Sequence, residues 1–144
     1  MIVNVRHTGI VVRNLDKMAE FYRSLGFFDD NREIEEGEFI DQVTGLKDAK
    51  LEWIKMKSPD GYLLELIQYI SHPIEKEIIN SNSNKLGCSH MAFTVEEIEK
   101  VCDVIEKSGG SVVNRPAVST NGQVKVAYCH DPEGVLMEIV EVIR

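Results

Sequence analysis

His7 in RHTGIVV, Glu65 in SPDGYLLELI, His90 in SHMAFTV and Glu138 in DPEGVLMEIV are the side chains of this chain whose types and spacing could do chemistry together. Each half has a histidine opening an apolar, strand-like stretch and a glutamate inside a later one. A shift of 83 residues (90 − 7) lays His7 on His90, Gly9 on Ala92, Leu15 on Ile98, Phe21 on Val104 and Gly26 on Gly109. A shift of 73 (138 − 65) lays Pro59 on Pro132, Gly61 on Gly134 and Glu65 on Glu138. Two imidazoles and two carboxylates in equivalent places of a duplicated unit point to one pseudo-symmetric metal site. That donor set suits a borderline-to-hard divalent cation: Zn, Ni, Co, Mn or Fe(II). A carboxylate at such a centre can also carry a proton to or from a bound substrate.

Strand alternation agrees with this reading. His7 shares a face with Gly9 and Val11, and His90 with Ala92 and Thr94, so the histidine faces are small or polar and suit a cavity wall. Glu65 lies between Leu63 and Ile67, and Glu138 between Leu136 and Val140, on faces that look inward. A carboxylate buried there without a counter-charge or a metal is costly. The plainer readings stay open: Glu65 pairing with Lys55 across a hairpin, or all four residues kept as relics of an older site. His72 and His130 have no counterpart in the other half and are expected to be exposed or to cap turns. Tyr128 and Lys125 point to opposite faces of their strand, so at most one faces a cavity. Trp53, Phe39 and Ile40 could form an apolar wall, with Trp53 read more readily as core. Arg6, Arg13, Arg23, Arg115 and Lys125 are scattered and read as solvated surface charges.

The elements that must position these residues repeat as well. Residues 5–12 read as a strand. Asn14 is placed to cap a helix over about 15–25, with Leu15, Met18, Phe21, Tyr22 and Leu25 at helical spacing and Gly26 as its stop. The second half has a strand over 88–95, a helix over about 97–108 and Gly109-Gly110. Strand-like stretches follow each helix and end in hairpins turned at Pro59-Asp60-Gly61 and Pro132-Glu133-Gly134. Both halves therefore spell β-α-β-β-β, an α+β class. The first runs over about 3–70 and the second over about 88–144. They are joined by a polar linker, about 71–87, in which a short helical turn near Ile74–Ile79 is allowed. A stretch over about 33–49, around EFIDQVTGLKDA, accounts for the ten-residue difference between the shifts (83 − 73) and is a candidate lining for the site entrance.

The 144 residues are enough for one compact unit with a core, and 43% hydrophobic with 28% charged residues is ordinary globular composition. A net charge of −8 argues against nucleic acid or an anionic membrane as partner, because the overall field repels polyanions. No apolar run spans a bilayer, and Met1 leads into a strand-like segment rather than a signal peptide. Cys88, Cys102 and Cys129 lack metal-finger spacing and read as reduced thiols of a cytoplasmic protein, Cys102 in the core.

The block HTGIVVRNLDKMAEFYRSLGF, the closing DPEGVLMEIVE and the repeated β-α-β-β-β order resemble the vicinal oxygen chelate superfamily, which includes glyoxalase I, extradiol dioxygenases and the bleomycin and fosfomycin resistance proteins. The resemblance covers essentially the whole chain. It implies one domain over 1–144 whose paired modules form a half-open mixed β-barrel around a metal. It implies the ligands His7, Glu65, His90 and Glu138, and commonly a homodimer acting on a small-molecule substrate. In the glyoxalase-like branch the implied chemistry is that of a metal-dependent lyase or isomerase. A substrate chelates the cation through two neighbouring oxygens, and Glu65 or Glu138 moves a proton by way of an enediolate. The alternatives are an extradiol-type dioxygenase, against which a fourth protein ligand counts, and a binding or resistance protein without catalysis. The segment LLELIQYI differs from the ELTYN-like segment of bacterial glyoxalase I, so the substrate stays open.

Overall fold

The computed structural model describes residues 1–144. The chain divides into two compact units, Met1–Lys76 and Glu77–Arg144, each with its own sheet. In the first, β1 (Thr8–Val11), α1 (Leu15–Ser24), β2 (Phe28–Glu36), α2 (Glu38–Thr44), β3 (Lys50–Lys57) and β4 (Leu63–Tyr69) follow in order. In the second, β5 (Met91–Thr94), α3 (Ile98–Lys107), β6 (Ser111–Val112), β7 (Ala117–Val118), β8 (Val124–His130) and β9 (Leu136–Val142) repeat the plan. The α+β class is as the sequence predicts, while the β-α-β-β-β order is modified in both halves, by α2 between β2 and β3 in the first unit and by a strand split into the short β6 and β7 in the second. Both sheets are mixed and open, in the orders β1-β4-β3-β2 and β5-β9-β8-β6, with β7 also pairing β8. β1 runs parallel to β4 and β5 parallel to β9, while the remaining pairs are antiparallel.

Period-two patterning decides which sheet face meets a helix. Ile10, Val12, Ile54, Met56, Leu64 and Leu66 are buried, as are Leu15, Met18, Phe21 and Tyr22 of α1, which packs on β3 and β4. Each such side chain contributes about 1.5–3 kcal/mol by leaving water. In the second unit Ile98, Cys102 and Ile105 of α3 do the same for a sheet carrying Ala127, Cys129, Met137 and Ile139.

Local signals explain the helix ends. The Asn14 side chain accepts from the Lys17 N–H at 3.0 Å, as an N-cap should. Gly26, at φ 98°, closes α1: its N–H donates to the Arg23 carbonyl, and the Phe27 N–H donates to that of Tyr22. Gly109 (φ 93°) and Gly110 repeat this closure on α3, toward Glu106 and Ile105. The left-handed position favours glycine. Gly110 is also held by space, since a Cβ there would lie 2.5 Å from the His130 carbonyl oxygen.

Several expectations shift. The hydrogen-bonded strands begin at Thr8 and Met91, so His7 and His90 each stand one residue ahead of their strand. Residues 71–87 contain no helix. From residue 77 onward they belong to the second unit, where the Ser81 N–H donates to the Gly134 carbonyl. His130 is buried rather than exposed, and its Nε2 lies 2.8 Å from the Ser81 carbonyl oxygen, to which it donates. The stretch 33–49 is the end of β2 followed by α2, stopped by Gly45 at φ 70°. Ile40 of α2 closes a second small core with Ala49, Leu51 and Trp53, against which Leu46, Ile67 and Tyr69 pack. Trp53 and Ile40 are thus core, while Phe39 is exposed. No helix is long and apolar enough to cross a membrane.

Candidate metal centre

The hairpin turns set the register that brings chemistry to one face. The Ser58 hydroxyl accepts from the Tyr62 N–H at 3.0 Å. Its equivalent in the other half, Asp131 (58 + 73), accepts from Glu133 and Val135 N–H groups at 2.9 Å. Different residues therefore fix the same turn. The turns place Lys55 opposite Glu65, and Tyr128 opposite Glu138. Parallel pairing then sets Gly9 beside Glu65 and Ala92 beside Glu138. Both glutamates lie on the face away from the α1 or α3 core.

The result is one pair in each unit. His7 Nε2 lies 2.9 Å from Glu65 Oε2, and His90 Nε2 lies 2.9 Å from Glu138 Oε2. The carboxylate side chains keep 13% and 24% of their exposure, so each is held largely out of water yet reachable. No three His, Cys, Asp or Glu side chains gather in a metal-binding group, and the four residues stand as two His–Glu pairs. His72 lies apart, its Nδ1 2.7 Å from the neighbouring Ser71 hydroxyl.

The donor chemistry of each pair fits a divalent cation. On an octahedral ion with bonds of about 2.1 Å, adjacent ligands are about 3.0 Å apart, whereas tetrahedral ligands are about 3.4 Å apart. The 2.9 Å separation in each pair is that of a hydrogen bond between imidazole and carboxylate, and lies near the octahedral edge as well. Hydrogen bonding in the second unit adds an argument. The Ser89 hydroxyl lies 2.8 Å from the Ser83 carbonyl oxygen, which can only accept, so the single hydroxyl proton points there. His90 Nδ1, 3.1 Å from the same hydroxyl, must then be the donor. A neutral imidazole protonated on Nδ1 turns the Nε2 lone pair toward a Glu138 oxygen. Two lone pairs at that distance require either a proton or a cation between them. This relay from backbone carbonyl to serine to imidazole is the kind of outer contact that fixes a metal-ligating tautomer.

The surroundings of the two pairs differ. Tyr128 meets the His90 ring edge-on, with centroids 5.2 Å apart, so of Tyr128 and Lys125 it is the tyrosine that faces the pair. Lys125 instead pairs with Glu99 at 3.1 Å. In the first unit the Lys55 ammonium lies 3.9 Å from Glu65 Oε1 and 4.3 Å from the Trp53 ring centroid. The Tyr62 hydroxyl donates to that of Thr8, fastening the residue next to His7.

Sequence reasoning placed Lys55 across the hairpin from Glu65, as observed, but missed the Ser89 relay and Tyr128 as the counterpart of Lys55. The second was recoverable, because positions equidistant from Asp60 or Glu133 at the turn centres face one another. Also missed were Gln68, whose Oε1 accepts from the Leu15 N–H, and Glu141, whose Oε2 accepts from the Ile98 N–H, each at 2.8 Å. These are equivalent positions (68 + 73 = 141) through which the last strand of each unit caps its helix.

Comparison with known proteins follows the same lines. A model of the Glyoxalase/Bleomycin resistance protein/Dioxygenase superfamily matches residues 4–139, a span holding all four candidate ligands. A probable lactoylglutathione lyase of Synechocystis sp. is 36% identical over 55 residues, covering 38% of this chain and 42% of that protein. A lactoylglutathione lyase of Neisseria meningitidis serogroup A is 27% identical over 137 residues, covering 94% and 88%. The crystal structure of a glyoxalase family protein from Bacillus cereus is 28% identical with a TM-score of 0.91, covering 100% of this chain and 97% of that one.

Proposed function

The chain belongs to the Glyoxalase/Bleomycin resistance protein/Dioxygenase superfamily, and on that premise we propose that it is a metal-dependent lyase or isomerase of the glyoxalase-like type. The observation that carries this reading is the duplicated His–Glu pair, with a nitrogen and an oxygen 2.9 Å apart in each unit. His7, Glu65, His90 and Glu138 would together hold one divalent cation, Zn, Ni, Co, Mn or Fe, in a single domain over residues 1–144. The site would form within one chain or across a homodimer. Four protein ligands leave about two positions of an octahedral ion for a chelating small molecule. The match to named lactoylglutathione lyases supports the choice of lyase chemistry.

A bound cation would stabilise negative charge developing on two neighbouring oxygens of a substrate. His90 would present its Nε2 lone pair to the cation by donating Nδ1–H to Ser89. One of Glu65 and Glu138 would take a proton from a carbon beside those oxygens and return it to the neighbouring carbonyl carbon, or to the same carbon where that neighbour is a carboxylate. Three free cysteines fit a reducing compartment such as the cytoplasm.

The test is turnover by the metal-reconstituted protein on lactoylglutathione and on small 2-hydroxy and 2-oxo acids, beside Glu65→Gln and Glu138→Gln. Loss of a turnover number by roughly a hundredfold or more in at least one variant is expected for removal of a proton carrier. Unchanged turnover in both would refute the mechanism.

A further inference from the structure

We infer that Lys55 is a substrate-recognition residue, and that the molecule processed here is a small carboxylic acid with an oxygen on the carbon next to its carboxylate, a 2-hydroxy or 2-oxo acid. The inference rests on the metal-centre reading above and goes beyond it by naming a residue and a substrate class.

Lys55 is unlike the other lysines of its strand. Lys50 and Lys57 pair with Glu36 and Asp30 at 3.1 and 2.8 Å, and both are satisfied on the surface. The Lys55 ammonium has Glu65 as its one carboxylate within 4 Å, at 3.9 Å, which is beyond direct hydrogen-bond reach. It keeps only 30% of its side-chain exposure. Its position is imposed from below: the ammonium lies over the Trp53 ring, and Trp53 is clamped by Ile40, Ala49 and Leu51. Helix α2, the stretch that the second unit lacks, thus builds the platform that aims this cation at the His7–Glu65 pair. The equivalent position beside Glu138 is Tyr128 (55 + 73), so the cation is not a retained feature of the duplication.

A partly desolvated ammonium whose one carboxylate partner stays beyond hydrogen-bond reach has room to donate to a further anion. Glu65 serves only while its charge is unshared. Once that carboxylate ligates a cation, its negative charge is shared between that cation and the Lys55 ammonium. A substrate that chelates through one carboxylate oxygen and the adjacent carbon's oxygen presents its second carboxylate oxygen as a free anionic acceptor. A charge-assisted hydrogen bond from Lys55 to that oxygen would fix which way round the acid binds.

The test is calorimetric titration of the metal-saturated protein with two chelating probes. Oxalate carries vicinal oxygens and spare carboxylate oxygens, whereas acetohydroxamate chelates without a spare carboxylate. Metal affinity is first measured for wild type, Lys55→Met and Lys55→Arg. The expected result is a roughly ten- to hundredfold weaker oxalate complex in Lys55→Met. Acetohydroxamate should change by no more than about twofold, and Lys55→Arg should recover most of the oxalate affinity. Equal weakening of both probes would make Lys55 a support for Glu65 alone and overturn the inference, as would unchanged oxalate binding. If wild type and variants all fail to take up metal, the proposed function falls and this inference with it, an outcome distinct from metal-loaded protein indifferent to Lys55.

Discussion

Removal of the Ser89 hydroxyl should weaken metal binding without unfolding the protein, and the hydrogen-bond pattern says by how much. In Ser89→Ala the His90 Nδ1–H loses its acceptor at 3.1 Å, and the Ser83 carbonyl loses its donor at 2.8 Å. The imidazole then chooses its tautomer without guidance, and the form that presents the Nε2 lone pair is no longer favoured. A net hydrogen bond of this kind is worth about 1 kcal/mol. At 3.1 Å the Nδ1 contact sits at the long end of the usual range, so the low end of the ten- to hundredfold effects seen for outer partners of metal ligands applies, about tenfold. The assay is calorimetric titration of Ni²⁺ or Co²⁺ into metal-stripped protein at neutral pH, with thermal unfolding of the stripped protein as control. Ser89→Thr keeps the hydroxyl and should keep the affinity. Equal metal affinity in wild type and Ser89→Ala, with both folded, would refute the tautomer argument. Equal losses in the alanine and threonine variants would assign the effect to the 83–89 loop instead.

Other perturbations test the scaffold. Ile40→Ala opens a hole between α2, Leu51 and Trp53 and should cost about 2–4 kcal/mol in denaturant unfolding of a chain that otherwise keeps its fold. Glu141→Ala removes the acceptor for the first N–H of α3 and should cost about 1 kcal/mol, with Glu141→Gln, which mimics Gln68 of the first unit, largely neutral. In the native protein only the exposed Cys88 should react with an alkylating probe. Burial lifts the Cys102 thiol above its ordinary pKa and pushes Cys129 up to about 12, so both stay protonated until unfolding exposes three reactive thiols. Because the folded state disfavours those thiolates, stability should fall as pH rises through the ordinary thiol range, where the unfolded chain can release the protons.

Much of the scaffold was legible because its signals are local. Asn14 and Gly26 bound α1 where capping chemistry requires, and period-two patterning separates Leu64 and Leu66, which face α1, from Glu65. The repeat put one histidine and one glutamate in each half, and the structure sets those two side chains 2.9 Å apart in each unit. What escaped depends on contacts distant in sequence. The Glu97 N-cap position of α3 has no side-chain cap of its own and a left-handed backbone (φ 53°), and the missing acceptor comes from Glu141, a strand away. His130 lies next to a turn and reads as exposed, yet the polar 77–87 segment folds over it and supplies the Ser81 carbonyl. The 33–49 stretch has weak helical periodicity, and α2 forms because Ile40 finds Trp53, a partner supplied by the next strand.

The central claim is tested most directly by elemental analysis of gently purified protein, beside a variant with His7 and His90 both changed to Ala. The account predicts one divalent metal per site in the wild-type protein, or its uptake on reconstitution, and its loss in the variant with the fold retained. Absence of metal from the wild-type protein even after reconstitution, or equal metal content in the variant, would contradict it.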